Sequence, residues 1–510
     1  MPVSPTYPGV YVEEIPSGVR TIVGVSTSTT AFVGRALKGP VRVVPALKDD
    51  QVPTLIHSFA EFERIFGGLW ALSPMSFAVH QYFANGGATA VIVRVNGTPA
   101  ATPAKWSAGG LGLIASSPGL WAKDLVLTLD HNSSDPATLF NLTVIDNSTS
   151  PATPLETIRN VSTDATSGSF VTKMLAQRSE YLRVDPSIPV PAAVANAAGV
   201  ADSGPAADGG VVSNSSILGS PADRTGIYAL LDTDIFNLLC LPPPAPGDDV
   251  TQATWQDAAQ FCQEHRAVLL VDSPDDSPAN VKTSGPLLMN VSAYKKNAAL
   301  FYPRIQVSNP LSLTGVIDDY VPCGAVAGVF ARTDAERGVW KAPAGIEAGL
   351  NVAGLTRSLT DADNGDLNPL GINCLRTFPL YGTVSWGSRT MDGADAMASE
   401  WKYVPVRRTA LYLEESLYRG LKWVVFEPNA APLWAQIRLN VGAFMQNLFR
   451  QGAFAGTTPQ DAYFVKCDNT TTTQNDVNLG IVNILVGFAP LKPAEFVILK
   501  LQQMAGQILT

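Results

Sequence analysis

Two rhythms of apolar residues run along the chain, one repeating every three to four positions and one every second position, and they predict alternating helices and strands. SFAEFERIFGG predicts a short helix, capped by Ser58 and closed by Gly67. AFVGRALKGP before it reads as a strand entering a turn, and ATAVIVRV after it as a buried strand, so residues 31–97 make a small α/β unit. NLLCLP, WQDAAQFCQEH and AVLLVD repeat the strand, helix, strand order around a PPPAPGDD loop. That order favours parallel pairing through a right-handed crossover.

Towards the end, TALYLEESLYRG predicts an amphipathic helix from an N-cap at Thr409 to a terminating Gly420. PLWAQIRLNVGAFMQNLFRQG predicts another, with Trp434, Ile437, Val441, Phe444 and Leu448 as its apolar stripe and Gln436, Arg438, Asn440, Asn447 and Arg450 on the opposite face. LGIVNILVGFAP and EFVILKLQQ then read as strands.

The segment 98–220 differs in character. DLVLTLD and LFNLTVID are strand-like within a background of Ala, Ser, Thr, Gly, Pro and Asp, which predicts an inserted β-rich domain. Between Pro186 and Ser220 there is no aromatic residue, Lys or Arg, so little apolar surface is available to offset ordering entropy. An exposed, mobile loop is expected there. At the other end, residues 1–30 are rich in Pro, Gly, Val and Thr, with Val10 and Val12 on one face of an extended segment and Tyr11 on the other. On the residues alone this is either the first strand of the chain's own sheet or part of an arm.

Composition narrows the function. Of 510 residues 46% are hydrophobic and only 15% charged, so much of the polar surface is uncharged, as suits a subunit covered by neighbours. The balance of 35 basic against 44 acidic residues, with no basic run beyond doublets, disfavours nucleic acid as a partner. Five scattered cysteines suggest neither a zinc site nor a disulfide framework and fit a reducing compartment. The first residues, MPVSPTYPGVYVEEIP, lack a basic region followed by an apolar stretch, and the longest late apolar run, Leu479–Leu491, is interrupted and too short to span a bilayer, so cytosolic synthesis without membrane insertion is expected.

Motifs for chemistry fail one by one. Cys262 and His265 share a helix face, which reads better as a buried thiol beside an edge histidine than as a nucleophile and base. Ser385 in GTVSWGS has Thr383 where a nucleophile elbow needs Gly. DADNGD, from Asp361 to Asp366, has its Gly one position early for a calcium loop and Ile372 in place of the closing Glu, so a polar turn is expected. Gly109, Gly110 and Gly112 lack the spacing of a dinucleotide fingerprint. No catalytic residue, metal ligand or cofactor is assigned.

YPGVYVEEIPSG, STTAFVGRALKGP, VPCGAVAGVFARTDAERGVWKAPAG, INCLRTFPLYGTVSWGSRTM, the long block from EWKYVPVRR to QGAFAG and DAYFVKCD, in that order, resemble contractile tail sheath proteins: those of contractile phage tails, R-type pyocins and extracellular contractile injection systems. The resemblance covers 1 to about 50 and 225–510, and the segment 98–220 is similar only to the variable outer domains of such sheaths. It implies an α/β (α+β) multidomain subunit: arm 1–30, core 31–97 and 221–355, insertion 98–220, sheath domain 356–493 and C-terminal arm 494–510. It also implies arms that add strands to neighbouring subunits, here Val10, Tyr11 and Val12 at one end and Phe496, Val497, Ile498 and Leu499 at the other. The implied partners are further copies in stacked hexameric rings, an inner tube met by a helix bearing Arg438 and Arg450, and baseplate and tail-terminator proteins. The implied particle is a phage tail or injection machine assembled from subunits made in the bacterial cytoplasm. A static capsid or tube protein, or an α/β enzyme with an inserted β domain, are the alternatives.

Overall fold

The computed structural model describes residues 20–41, 52–289, 292–312 and 314–500. The chain divides into two compact units, one of Ser26–Glu336 and Pro343–Val404, the other of Met1–Val25, Arg337–Ala342 and Pro405–Thr510. Val10, Tyr11 and Val12 lie outside the described residues.

The larger unit opens with β1 (Thr30–Gly34), β2 (Thr54–Ile56), α1 (Phe59–Phe66), α2 (Pro74–Ala84) and β3 (Ala90–Arg94). The Ser58 hydroxyl accepts the Glu61 N–H and Gly67 closes α1 in a left-handed conformation, as the sequence predicts.

The inserted segment is β-rich: β4 (Lys105–Ala108), β5 (Leu111–Ala115), β6 (Leu125–Asp130), β7 (Leu139–Asp146), β8 (Thr153–Ser162), α3 (Val171–Arg178), β9 (Leu182–Val184) and β10 (Ala197–Val200). Two antiparallel sheets, ordered β4-β5-β9 and β10-β6-β7-β8, enclose a core of their own that includes Trp106, Leu127, Phe140 and Val144. Residues 186–220, expected as an exposed loop, are exposed or half-buried apart from Val212 and Ile217, but they carry local structure and anchors. β10 pairs with β6, Ala207 bridges Thr102, and Val212 and Ile217, the latter in α4 (Asn214–Leu218), are buried in the core of the main sheet. Those anchors lie far away in sequence, which is why a count of local apolar residues misses them.

The main sheet resumes with β11 (Leu238–Cys240), α5 (Gln252–Glu264), β12 (Val268–Asp272) and β13 (Ala298–Tyr302). Next come β14 (Ile305–Ser308), β15 (Ile317–Tyr320), α6 (Cys323–Arg337), β16 (Gly354–Leu355), α7 (Asp361–Leu367), β17 (Ile372–Phe378) and β18 (Gly382–Ser385). Eight strands run in the order β18-β17-β13-β12-β11-β1-β3-β2, parallel except at the two edges. A parallel sheet must be covered on both faces. Trp255, Ala258 and Phe261 of α5 pack into the core of one face; on the other Phe32 meets Tyr82 of α2 edge-on and Phe301 meets Phe330 of α6. A Cβ at Gly324 would come within 2.0 Å of the Ala78 carbonyl oxygen, so α6 crosses α2 at a distance only glycine permits.

Three further expectations change. The strands β17 and β18 belong to the main sheet, so the C-terminal unit begins at Pro405 instead of 356, because the apolar run INCLRTF is a sheet strand and not the start of a new core. DADNGD forms α7, with Thr360 and Asp363 making a reciprocal capping box in place of a turn. The helix expected from Thr409 starts at Val404: Pro405 sits in the first turn, where its missing N–H costs nothing, and the Thr409 hydroxyl donates to the Pro405 carbonyl inside the helix.

Candidate assembly interface

The C-terminal unit is built on α8 (Val404–Gly420) and α9 (Ala431–Arg450). Leu433, Ile437, Val441, Phe444, Met445 and Leu448 of α9 are buried, and Trp434, counted with that stripe in the sequence, is only half-buried. The outer face is Ala435, Gln436, Leu439, Ala443, Asn447 and Arg450.

Two residues assigned to that face are engaged inside the unit. Arg438 is half-buried and its guanidinium donates to the Cys467 carbonyl oxygen. Asn440 is 1% exposed and its Oδ1 accepts the Arg20 N–H at 3.0 Å. Arg450, in the last turn, is exposed and complements the helix dipole there.

Against α9 lies a hairpin of β19 (Tyr463–Lys466) and β20 (Leu485–Phe488), paired Tyr463 to Phe488 through Lys466 to Leu485. Alternation puts Tyr463, Val465, Val486 and Phe488 on the inner side, packed against the α9 core, with the Tyr463 hydroxyl donating to Gln446 Oε1 at 2.8 Å. Phe464 and Leu485 stay exposed on the outer side. Among the described residues the sheet has only these two strands, so both have an outer edge whose N–H and C=O groups point away from the ladder.

Beyond the bridge of Pro490 to Phe454 the chain runs on without secondary structure to Lys500. The strand expected at EFVILKLQQ is therefore absent from this chain's own sheets among the described residues. Phe496, Val497, Ile498 and Leu499 are 71–89% exposed, which is costly for four consecutive large apolar side chains in an isolated subunit.

Elsewhere the residues weighed for chemistry take structural places. Cys262 is fully buried and its thiol is pushed well above the ordinary range by desolvation, so it offers no thiolate to His265 at the helix end. Ser385 is buried and donates to the Gly387 carbonyl. Among the described residues no group of three or more His, Cys, Asp or Glu could hold a metal ion, and no helix is long and apolar enough to cross a membrane.

One buried carboxyl has a consequence for stability that the sequence does not show. Asp272, at the end of β12, accepts the Cys323 N–H at 2.9 Å through Oδ1, while its buried Oδ2 has no partner. Desolvation pushes its pKa up to about 7 from 3.8. A raised acid pKa means that the folded chain holds the proton more tightly than the unfolded chain, so this group's contribution falls as pH rises from about 4 to about 7 and stays low above that. Asp272→Asn keeps the acceptor for Cys323 and removes the charge. Urea denaturation should find the variant more stable by on the order of 2–4 kcal/mol at pH 8, with the gain vanishing at pH 4; an equal effect at both pH values would be inconsistent with a buried titrating carboxyl.

The chain thus combines a covered α/β sheet carrying a β insertion with a helical C-terminal unit whose hairpin has open edges and whose apolar residues Phe496–Leu499 are exposed. The phage tail sheath protein central domain matches residues 220–391, and the phage tail sheath C-terminal domain matches 397–504. The chain is 26% identical over 295 residues to a putative prophage major tail sheath protein of Pseudomonas aeruginosa, which covers 55% of this chain and 70% of that one. It is 28% identical over 165 residues to the tail sheath protein of Enterobacteria phage T4, covering 32% of this chain and 24% of that one. The helical sheath of the anti-feeding prophage in its contracted state shares the fold, with a TM-score of 0.57 at 24% identity over 98% of this chain and 100% of that one. The chain belongs to the phage tail sheath family, a structural class and not an enzyme class.

Proposed function

We propose that this sheath subunit polymerises by strand donation into stacked hexameric rings around an inner tube, and that the shortening of this lattice drives the tube through a target envelope. Segments around Val10, Tyr11 and Val12 and at Phe496–Leu499 add to the open edges of β19–β20 in neighbouring copies. Baseplate and terminator proteins bound the polymer, and the subunits are made in the cytoplasm before assembly into a phage tail or contractile particle.

The observation that carries this reading is the pairing of an unsatisfied apolar end with a two-stranded sheet open at both edges. Main-chain hydrogen bonds hold an added strand almost independently of how the two bodies are rotated, so links of this kind persist while rings slide and twist. No nucleotide is required. Roughly 100 Å² of extra apolar burial per subunit on contraction would supply about 2.5 kcal/mol, multiplied over a whole sheath. Electron microscopy of the purified protein tests the reading directly, since long wide tubes support it and closed shells or dispersed single subunits refute it.

The tube contact is assigned to the outer face of α9, with Arg450 as its cation. Arg438, half-buried and donating to the Cys467 carbonyl, keeps its charge but is held back from that face. Arg450→Glu should reduce co-sedimentation of the inner tube about tenfold, a loss of roughly 1.4 kcal/mol, while sheath self-assembly is unchanged. Undiminished tube retention would remove Arg450 from the contact.

A further inference from the structure

We infer that residues 20–25 are a strap whose fixed seat on α8 and α9 sets the length of the N-terminal tether between subunits; this rests on the reading of residues 1–19 as a donated arm. The strap is held at both ends by side chains buried in the helices. Asn440 Oδ1 accepts the Arg20 N–H at 3.0 Å, and Ser416 Oγ accepts the Val25 N–H at 3.2 Å. Between them Ile22 is buried in the C-terminal core, and the Arg20 guanidinium lies 4.7 Å from the Trp423 ring centroid. Two glycines make room: a Cβ at Gly420 would stand 2.6 Å from Ile22 Cγ2, and one at Gly24 would stand 2.0 Å from the Tyr412 hydroxyl oxygen.

Asn440 is the telling residue. It interrupts an apolar stripe, and its Nδ2 is buried without a partner, so for helix packing alone an aliphatic side chain would serve better. Its one bond fixes the backbone of Arg20. A single buried polar group of this kind specifies register at a cost in stability.

The consequence is geometric. Tyr11 and Arg20 are nine residues apart, which limits the reach of a donated strand to roughly 30 Å from its anchor. Without the strap the chain is still held at Ser28, whose carbonyl accepts the Tyr82 hydroxyl, and at Thr29, whose N–H donates to Asn237 Oδ1, and the reach roughly doubles to about 60 Å. Doubling a flexible tether lowers the effective concentration of its end about threefold. The link survives and becomes slack.

The test uses the full chain with both acceptors removed, Asn440→Leu with Ser416→Ala, and separately Gly24→Leu, which displaces the strap without altering either helix. Trypsin should cleave after Arg20 at least tenfold faster in the isolated variants, and micrographs of their sheaths should show a spread of ring spacing at least twice that of the unmodified protein. Unchanged cleavage, or native uniform spacing, overturns the inference. So does complete loss of polymer from folded subunits, which a threefold change cannot explain. A chain lacking residues 1–13 separates the two ideas: if it still builds native sheaths the arm reading itself fails, whatever the strap variants do.

Discussion

A chain ending at Pro493 is expected to fold normally and fail to polymerise. The removed segment begins with residues that form no strand in the subunit, and Phe496, Val497, Ile498 and Leu499 are mostly exposed, so the thermal midpoint should move by no more than about 2 °C. In the assembled state those four side chains would bury surface contributing roughly 6–12 kcal/mol. Ordering four residues costs roughly 4–8 kcal/mol. Ladder hydrogen bonds add about 1 kcal/mol each. A net gain of about 3 kcal/mol per link changes the association constant about 150-fold, and every subunit in a lattice depends on such links. Sedimentation and micrographs should therefore show no tubes at about ten times the concentration at which the full chain assembles. Native cylinders from the trimmed chain would dispose of strand donation at this end.

How much of this was legible beforehand depended on the range of the interactions. The caps of α1 at Ser58 and Gly67 are local signals, and they read correctly. So did the strands flanking α5, whose parallel pairing follows from connectivity. The start of α8 differs from the N-cap expected at Thr409, because Arg407 and Arg408 before it are buried within the helix. Within 186–220 the sequence does not reveal that Val212 and Ile217 are buried, because the core they enter is assembled from distant strands. Asn440 was assigned to the outer face of α9 for being polar; its partner Arg20 is 420 residues away, and no periodicity within the helix could reveal it. The family blocks located the assembly unit; its open hairpin edges and the strap required coordinates.

Arg94 went unremarked in the sequence as one residue of a buried strand, and its replacement is expected to be the most damaging single substitution in the larger unit. It stands at the end of β3, wholly buried, with its guanidinium spread over four carbonyl oxygens: Ala36 at 3.1 Å, Leu37 at 3.4 Å, Gly39 at 2.8 Å and Pro118 at 2.9 Å. Desolvation lowers its pKa to about 10, with Asp208 acting in the opposite direction, so it remains charged at neutral pH. The side chain thus ties the turn after β1 to the chain just before β6, and Ser117 Oγ reinforces the tie by accepting the Gly39 N–H at 2.9 Å. Arg94→Met preserves much of the aliphatic volume and strands all four carbonyls, which should cost about 3–5 kcal/mol. Arg94→Lys keeps a charge but cannot fork to four acceptors, so it should recover less than half of that loss. Urea midpoints of the three proteins at pH 7 decide the matter. A loss below about 1 kcal/mol for the Met variant would mean that water replaces the guanidinium and that the turn is held by other contacts.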